Sequence, residues 1–275
     1  MKVSIIVPVG NKDEWKICEQ SILQSINTYK GDVKAELLPC WDLEHTGAWT
    51  VRNEGLDKAT GDWIAWVDCD DVVEIDWFSE IANSIGIHGN VDVIQFDATE
   101  VKNGIKRPLT YCKRGDLSGE FFSRELLRND GMPAWLWTRV FRRKLFAGKR
   151  FAGRVKQDYR MFLEILPRIN RVWSIGKPLY RYIRHGHGLS NYVQCMDYGR
   201  AANEFTELIM NLPSHWRDDA LLGLALTMAD VAIHSKHNNG ARKVVWLHLK
   251  RVLTDAHISC RLKLKCIFAV LGVKR

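Results

Sequence analysis

The chain has 275 residues, 46% hydrophobic and 26% charged, with 40 basic against 32 acidic side chains. That composition can bury one large core or a domain with an appendage, and it excludes a disordered chain, a collagen repeat and a coiled-coil rod. Residues 241–275 hold nine Lys or Arg against Asp255 alone, so this segment carries the whole net charge of +8 and the first 240 residues balance.

Residues 3–9, β-branched and stopped by Pro8 and Gly10, read as a strand buried on both faces. Residues 13–28 place Ile17, Ile22, Leu23 and Ile26 at helical spacing. Strands are expected at 35–41 and 63–67, with a helix over 51–59 between them and Gly61 as its stop. Residues 91–96 supply another strand. This alternation predicts an α/β sheet flanked by helices, mostly parallel, with ligands beyond the carboxyl ends of its strands. From about 120 to 166 the chain reads as helical, and the run Arg184-His185-Gly186-His187-Gly188 interrupts the pattern. Beyond about 195 everything reads as helix. The expected division is therefore a domain over 1–195 and a helical region over 196–275.

The longest wholly apolar run, 266–273, is too short to cross a bilayer, and residues 3–9 are followed by charged residues rather than a small-residue cleavage site. Seven scattered cysteines form no Cys-x-x-Cys pair. The expectation is reduced thiols in a cytoplasmic protein with neither signal peptide nor transmembrane helix.

Ile64-Ala65-Trp66-Val67-Asp68-Cys69-Asp70-Asp71 packs three carboxylates into four positions after a hydrophobic strand. Such a cluster calls for a cation. If the strand continues, Asp68 and Asp70 project to one side, and hard oxygen ligands suit Mg²⁺ or Mn²⁺. Asp70 or Asp71 also suits the N-cap of a helix beginning at Trp77-Phe78.

The run Arg52-Asn53-Glu54-Gly55-Leu56-Asp57-Lys58-Ala59-Thr60-Gly61-Asp62-Trp63-Ile64, leading into Asp68-Cys69-Asp70-Asp71, resembles the core of the family 2 glycosyltransferases with a GT-A fold, of the bacterial surface-glycan type. Val3-Ser4-Ile5-Ile6-Val7-Pro8-Val9 is similar to that family's first strand. Trp137-Thr138-Arg139-Val140-Phe141-Arg142-Arg143 resembles its acceptor-side segment, and Lys177-Pro178-Leu179-Tyr180-Arg181-Tyr182 its closing strand. The likeness covers roughly residues 1–192. It implies transfer of a sugar, with inversion, from a nucleoside diphosphate sugar, UDP-linked by likeness, to a hydroxyl of a glycan or lipid-linked acceptor in polysaccharide or lipopolysaccharide assembly. By resemblance Pro8 and Val9 line the base pocket, Asp42 reads the base, Arg52 supports the nucleotide, Asp68 binds ribose and shares the metal, and Asp70 holds Mn²⁺ or Mg²⁺ on the diphosphate. Asp158 is the general base, and Arg184 and His187 touch the donor from a loop.

The chain departs from the family pattern at Gln157, where Glu is usual, and at Cys40-Trp41-Asp42-Leu43, where the family has Asp-Gly-Ser. On residue chemistry alone, Asp158 also serves as a helix cap, Arg52 as a partner of Glu54 or Asp57, and Trp135 and Trp137 as partly core. The competing readings are a catalytically silent relative acting as a scaffold subunit of a membrane glycan-assembly complex, and a nucleotidyltransferase. The second needs a glycine-rich phosphate loop, which Gly10-Asn11-Lys12 is not.

In the tail, Leu264, Ile267, Phe268 and Leu271 stand at helical spacing among Arg261, Lys263, Lys265, Lys274 and Arg275. Residues 258–275 read equally as a helix on an anionic membrane surface, at the inner face, or as a helix packed on the domain. Nucleic acid is not an expected partner, because no recognition fold or aromatic platform accompanies the charge.

Overall fold

A computed structural model describes residues 1–110, 114–128, 132–153, 156–185, 198–234 and 239–272. The elements run β1 (Lys2–Val9), α1 (Lys12–Thr28), β2 (Lys34–Trp41), α2 (Ala48–Lys58), β3 (Trp63–Trp66), β4 (Val72–Val73), α3 (Trp77–Ile87), β5 (Val93–Lys102), β6 (Ile105–Leu109) and β7 (Gly115–Ser118). They continue with α4 (Gly119–Arg128), β8 (Arg139–Arg142), α5 (Gln157–Ile165), β9 (Arg171–Ile183), α6 (Tyr198–Met210), α7 (Ser214–His234), α8 (Asn239–Thr254) and α9 (Cys260–Leu271). Two compact units result, Met1–Glu120 with Trp135–His185, and Phe121–Ala134 with Gly186–Arg275. The boundary expected near residue 195 lies outside the described residues.

The first unit is an α/β sheet in the order β2-β1-β3-β8-β5-β9-β4, with β6 on β5 and β7 on β9. β1 runs parallel to β2 and β3, and β5 to β9, whereas β8 is antiparallel to both β3 and β5. Helix α1 begins where the Asn11 side chain accepts from the Asp13 and Glu14 amides, with both acids favourable at the positive end of the helix dipole. Helix α2 packs so closely on β1 that a Cβ at Gly55 would stand 2.2 Å from the Ile6 side chain. Gly61 is not a helix stop. Helix α2 ends at Lys58, and Gly61 is required because a Cβ there would lie 2.7 Å from the Ser4 backbone nitrogen.

The helical reading of 120–166 missed β8, which sits in the middle of the sheet. The cause is Arg139, which occupies a core position at 1% exposure and erases the apolar signal. Its guanidinium donates to Gln95 Oε1 at 3.2 Å and to the Trp135 carbonyl at 2.5 Å, and lies over the Phe162 ring. Hydrogen-bonded and stacked, the charge is tolerated inside.

The second unit joins residues 121–134 to α6–α9. Helix α7 is buried on several sides, through Leu222, Leu224, Ala225, Met228 and Ala229, and packs against α6, α8 and α9. Buried Asp219 on α7 accepts from Arg124 Nε at 2.7 Å and Arg128 Nη1 at 2.8 Å, and Arg128 Nη2 reaches Asp255 at 2.9 Å. The expected tail helix exists as α9, capped by Ser259 and packed on α7 and α8 through Cys266 and Ala269. Among the described residues no helix is long and apolar enough to cross a membrane, and Cys18, Cys40, Cys69, Cys260 and Cys266 are free thiols.

Candidate active site

Because β1, β2 and β3 are parallel, their carboxyl ends at Val9, Trp41 and Trp66 share one edge. Beyond β3 the chain turns at once: the Asp71 amide donates to the Asp68 carbonyl at 3.1 Å. The strand therefore does not continue through Asp68 and Asp70, and their proximity comes from a turn rather than from strand alternation. The turn is clamped from β9. The Asp68 amide donates to the Tyr180 hydroxyl at 3.1 Å, that hydroxyl donates to Asp71 Oδ2 at 2.8 Å, and the Ile183 amide donates to Asp71 Oδ1 at 2.7 Å.

Asp71 is thus the anchor of the turn, buried at 1% exposure. Burial, then the charges of Asp68 and Asp70, raise its pKa well above the ordinary carboxylate value. It does not cap α3, whose N-cap is Asp76. No local pattern could have assigned this role, since its partners lie more than a hundred residues away.

Arg52, on the buried side of α2, gathers the acids. Its Nη2 donates to Asp68 Oδ1 at 3.1 Å, and its Nη1 to Asp158 Oδ1 at 3.0 Å and Gln157 Oε1 at 3.2 Å. Burial works against the Arg52 charge, but Asp158 and Asp68 outweigh it and raise its pKa. Glu54 and Asp57, the surface partners considered for Arg52, pair with Lys58 and Arg150 instead. Asp158 lies in the first turn of α5 without capping it, because Oδ1 faces Arg52 and Oδ2 accepts the Leu136 amide at 3.2 Å. Burial raises the Asp158 pKa while Arg52 pulls it back.

Asp70 is half-buried. Burial, then the charge of Asp68, push its carboxyl up to about 6. Two hard oxygen donors on one turn, with that much repulsion to relieve, fit a divalent cation. Among the described residues no group of three or more His, Cys, Asp or Glu is arranged to hold a metal.

The remaining expected residues are dispersed along this edge. Pro8 is half-buried, and Val9 is buried with its carbonyl accepting the Asp42 amide at 2.9 Å. Asp42 spends both carboxylate oxygens on its own loop, accepting the Thr46 amide at 2.7 Å and the Gly47 amide at 2.9 Å. Arg184 pairs with Glu100 at 3.2 Å, at the end of β9. His187 lies outside the described residues. Its neighbour His185 places Nε2 3.3 Å from the Asp70 carbonyl. Trp137 is core, stacked between Tyr180 at 4.6 Å and Trp135 at 4.7 Å, while Trp135 and Tyr182 are half-buried.

The mixed sheet with its flanking helices is a GT-A fold, with the acidic turn and the buried Arg52 at its carboxyl edge. Residues 43–147 match the family described as Glycosyl transferase family 2. It is 25% identical over 267 residues to the uncharacterized glycosyltransferase YibD of Escherichia coli (strain K12), covering 80% of this chain and 74% of YibD. Its fold is similar to that of S. aureus TarS 1-349 in complex with UDP-GlcNAc, with a TM-score of 0.69 and 16% identity over 99% of this chain and 88% of that one. The TarS complex with UDP gives a TM-score of 0.68 at the same identity and coverage.

Proposed function

We propose that the chain transfers a sugar from a nucleoside diphosphate sugar to an acceptor hydroxyl with inversion, and that the acceptor belongs to a surface or secreted glycan. The observation that carries this reading is Arg52, buried between Asp68 and Asp158 at 3.1 and 3.0 Å. It joins the turn expected to hold the donor to the carboxylate expected to accept the acceptor proton. A uridine nucleotide is the donor carrier of choice, because TarS, of the same fold, binds UDP-GlcNAc.

In this reading Asp70, with Asp68, would hold a divalent cation, Mn²⁺ or Mg²⁺, which would offset the charge of the departing nucleotide. Asp68 also takes the ribose. Tyr180 and Asp71 fix the turn, so its carboxylates meet the donor without reorganisation. Arg52 orients Asp158 and offsets part of the rise that burial gives its pKa. Asp158 takes the proton of the acceptor hydroxyl, whose own pKa is far above neutrality, as that oxygen attacks the anomeric carbon opposite the nucleotide. Gln157 also accepts from Arg52 and, being neutral, leaves Asp158 the nearer carboxylate to receive that proton.

The test is Asp158→Asn, which keeps the shape and removes the base. Donor affinity measured by calorimetry stays as in the wild type, while turnover falls about 10²- to 10⁴-fold. Undiminished turnover would remove Asp158 from the mechanism. A wild-type protein that is folded yet binds no nucleotide sugar would instead support a silent scaffold subunit.

A further inference from the structure

The sequence drew attention to α9, but α9 is packed against α7 and α8, and the more exposed apolar-basic face belongs to α8. Trp246 and Leu247 are each 64% exposed, and Leu253 is 38% exposed. Lys243, Lys250 and Thr254 are exposed on the same helix. At about 100° per residue these six positions fall within an arc of about 120°. The opposite side of α8 carries Ala241, Val245 and Val252, all buried.

An exposed Trp and Leu side by side on a helix whose inner face is already satisfied are not explained by the packing of this unit. Charge narrows what covers them. Arg251 pairs with Asp218 and Lys265 with Asp230, whereas Lys243 and Lys250 make no ion pair among the described residues. Both lysines lie inside the apolar arc rather than at its rim. A second copy of this chain meeting the face symmetrically would set lysines against lysines, and the centres of protein interfaces are depleted of lysine. A surface with apolar depth and negative headgroups satisfies both kinds of side chain at once: Trp and Leu enter the acyl boundary and the lysine stems reach back to phosphate.

We propose that the outer face of α8, centred on Trp246 and Leu247 between Lys243 and Lys250, docks on an anionic lipid bilayer surface. This is independent of the donor-site reading. The full chain is floated with vesicles of phosphatidylcholine alone and of equal parts phosphatidylcholine and phosphatidylglycerol. Binding is expected to the mixed vesicles and to fall with salt.

Each lysine near such a surface is worth roughly fivefold, so Lys243→Glu with Lys250→Glu weakens binding by about thirtyfold or more. Trp246→Ser with Leu247→Ser weakens it at least about tenfold. Both variants keep the wild-type Tm, because all four side chains are exposed. Absence of wild-type binding to the mixed vesicles, equal binding to phosphatidylcholine, or unchanged binding in both variants would overturn the proposal. So would conversion of a dimer to a monomer by Trp246→Ser with Leu247→Ser, which would make the face a self-interface.

Discussion

Each unit of the chain hides an ion between partners of opposite sign, and the two centres differ in how their charges balance. In the second unit Asp219 sits between Arg124 and Arg128, and Arg128 reaches on to Asp255, two cations against two anions. In the first, Arg52 faces both Asp68 and Asp158, with Asp70 and Asp71 on the same turn. The balanced centre pairs its charges one for one. The unbalanced one gathers more carboxylates than cationic partners at the carboxyl edge of a parallel strand, the arrangement that the proposed cation would complete.

This contrast is sharpest under substitution. Asp158→Asn is expected to cut turnover by about 10²- to 10⁴-fold, equivalent to about 3–5 kcal/mol of transition-state stabilisation, read from single-turnover rates. Asp219→Asn does the reverse. It leaves the Arg128 guanidinium, 12% exposed, short of a partner and lowers stability by about 3 kcal/mol in urea unfolding, with donor affinity unchanged in the folded protein. Equal loss of stability from both substitutions would erase the distinction between the centres.

A glycine tests the platform beneath the Arg52 centre. Gly55→Ala on α2 drives a Cβ to 2.2 Å from Ile6 and costs about 1–3 kcal/mol, with a displaced Arg52 weakening donor binding. The smallest effect is expected at a third ion cluster, on β2. Burial works to raise the Glu36 pKa, but hydrogen bonds from Ser4, Thr60 and Lys2 outweigh it and bring it down to about 2. A depressed folded pKa contributes stability that is present above about pH 4.5 and is lost as pH falls toward 2. With the side chain 22% exposed, solvent screening leaves about 1 kcal/mol, so Glu36→Gln should flatten the stability profile over that window by this amount.

What the sequence made legible follows from locality. β1, α1, β2, α2 and β3 each carry their own period, so the edge where the acids collect could be placed from 70 residues. Asp68, Asp70, Arg52 and Asp158 were named from motifs, and the structure brings Arg52 against Asp68 and Asp158. The parts that could not be read are long-range. Arg128 meets Asp219 across 91 residues and Asp255 across 127. The Tyr180–Asp71 clamp spans 109. β8 was hidden for a different reason, a buried arginine in a four-residue strand where a hydrophobic residue would have announced it.

The most direct measurement is thermal unfolding with UDP, with and without Mn²⁺, in the wild type and in Asp70→Ala. The account predicts a rise in Tm for the wild type only when nucleotide and metal are both present. At about a hundred times the dissociation constant this corresponds to roughly 2.7 kcal/mol, and it should be absent in Asp70→Ala. A folded wild type that shows no shift, or an equal shift in Asp70→Ala, would contradict the assignment of the acidic turn as a metal-dependent donor site.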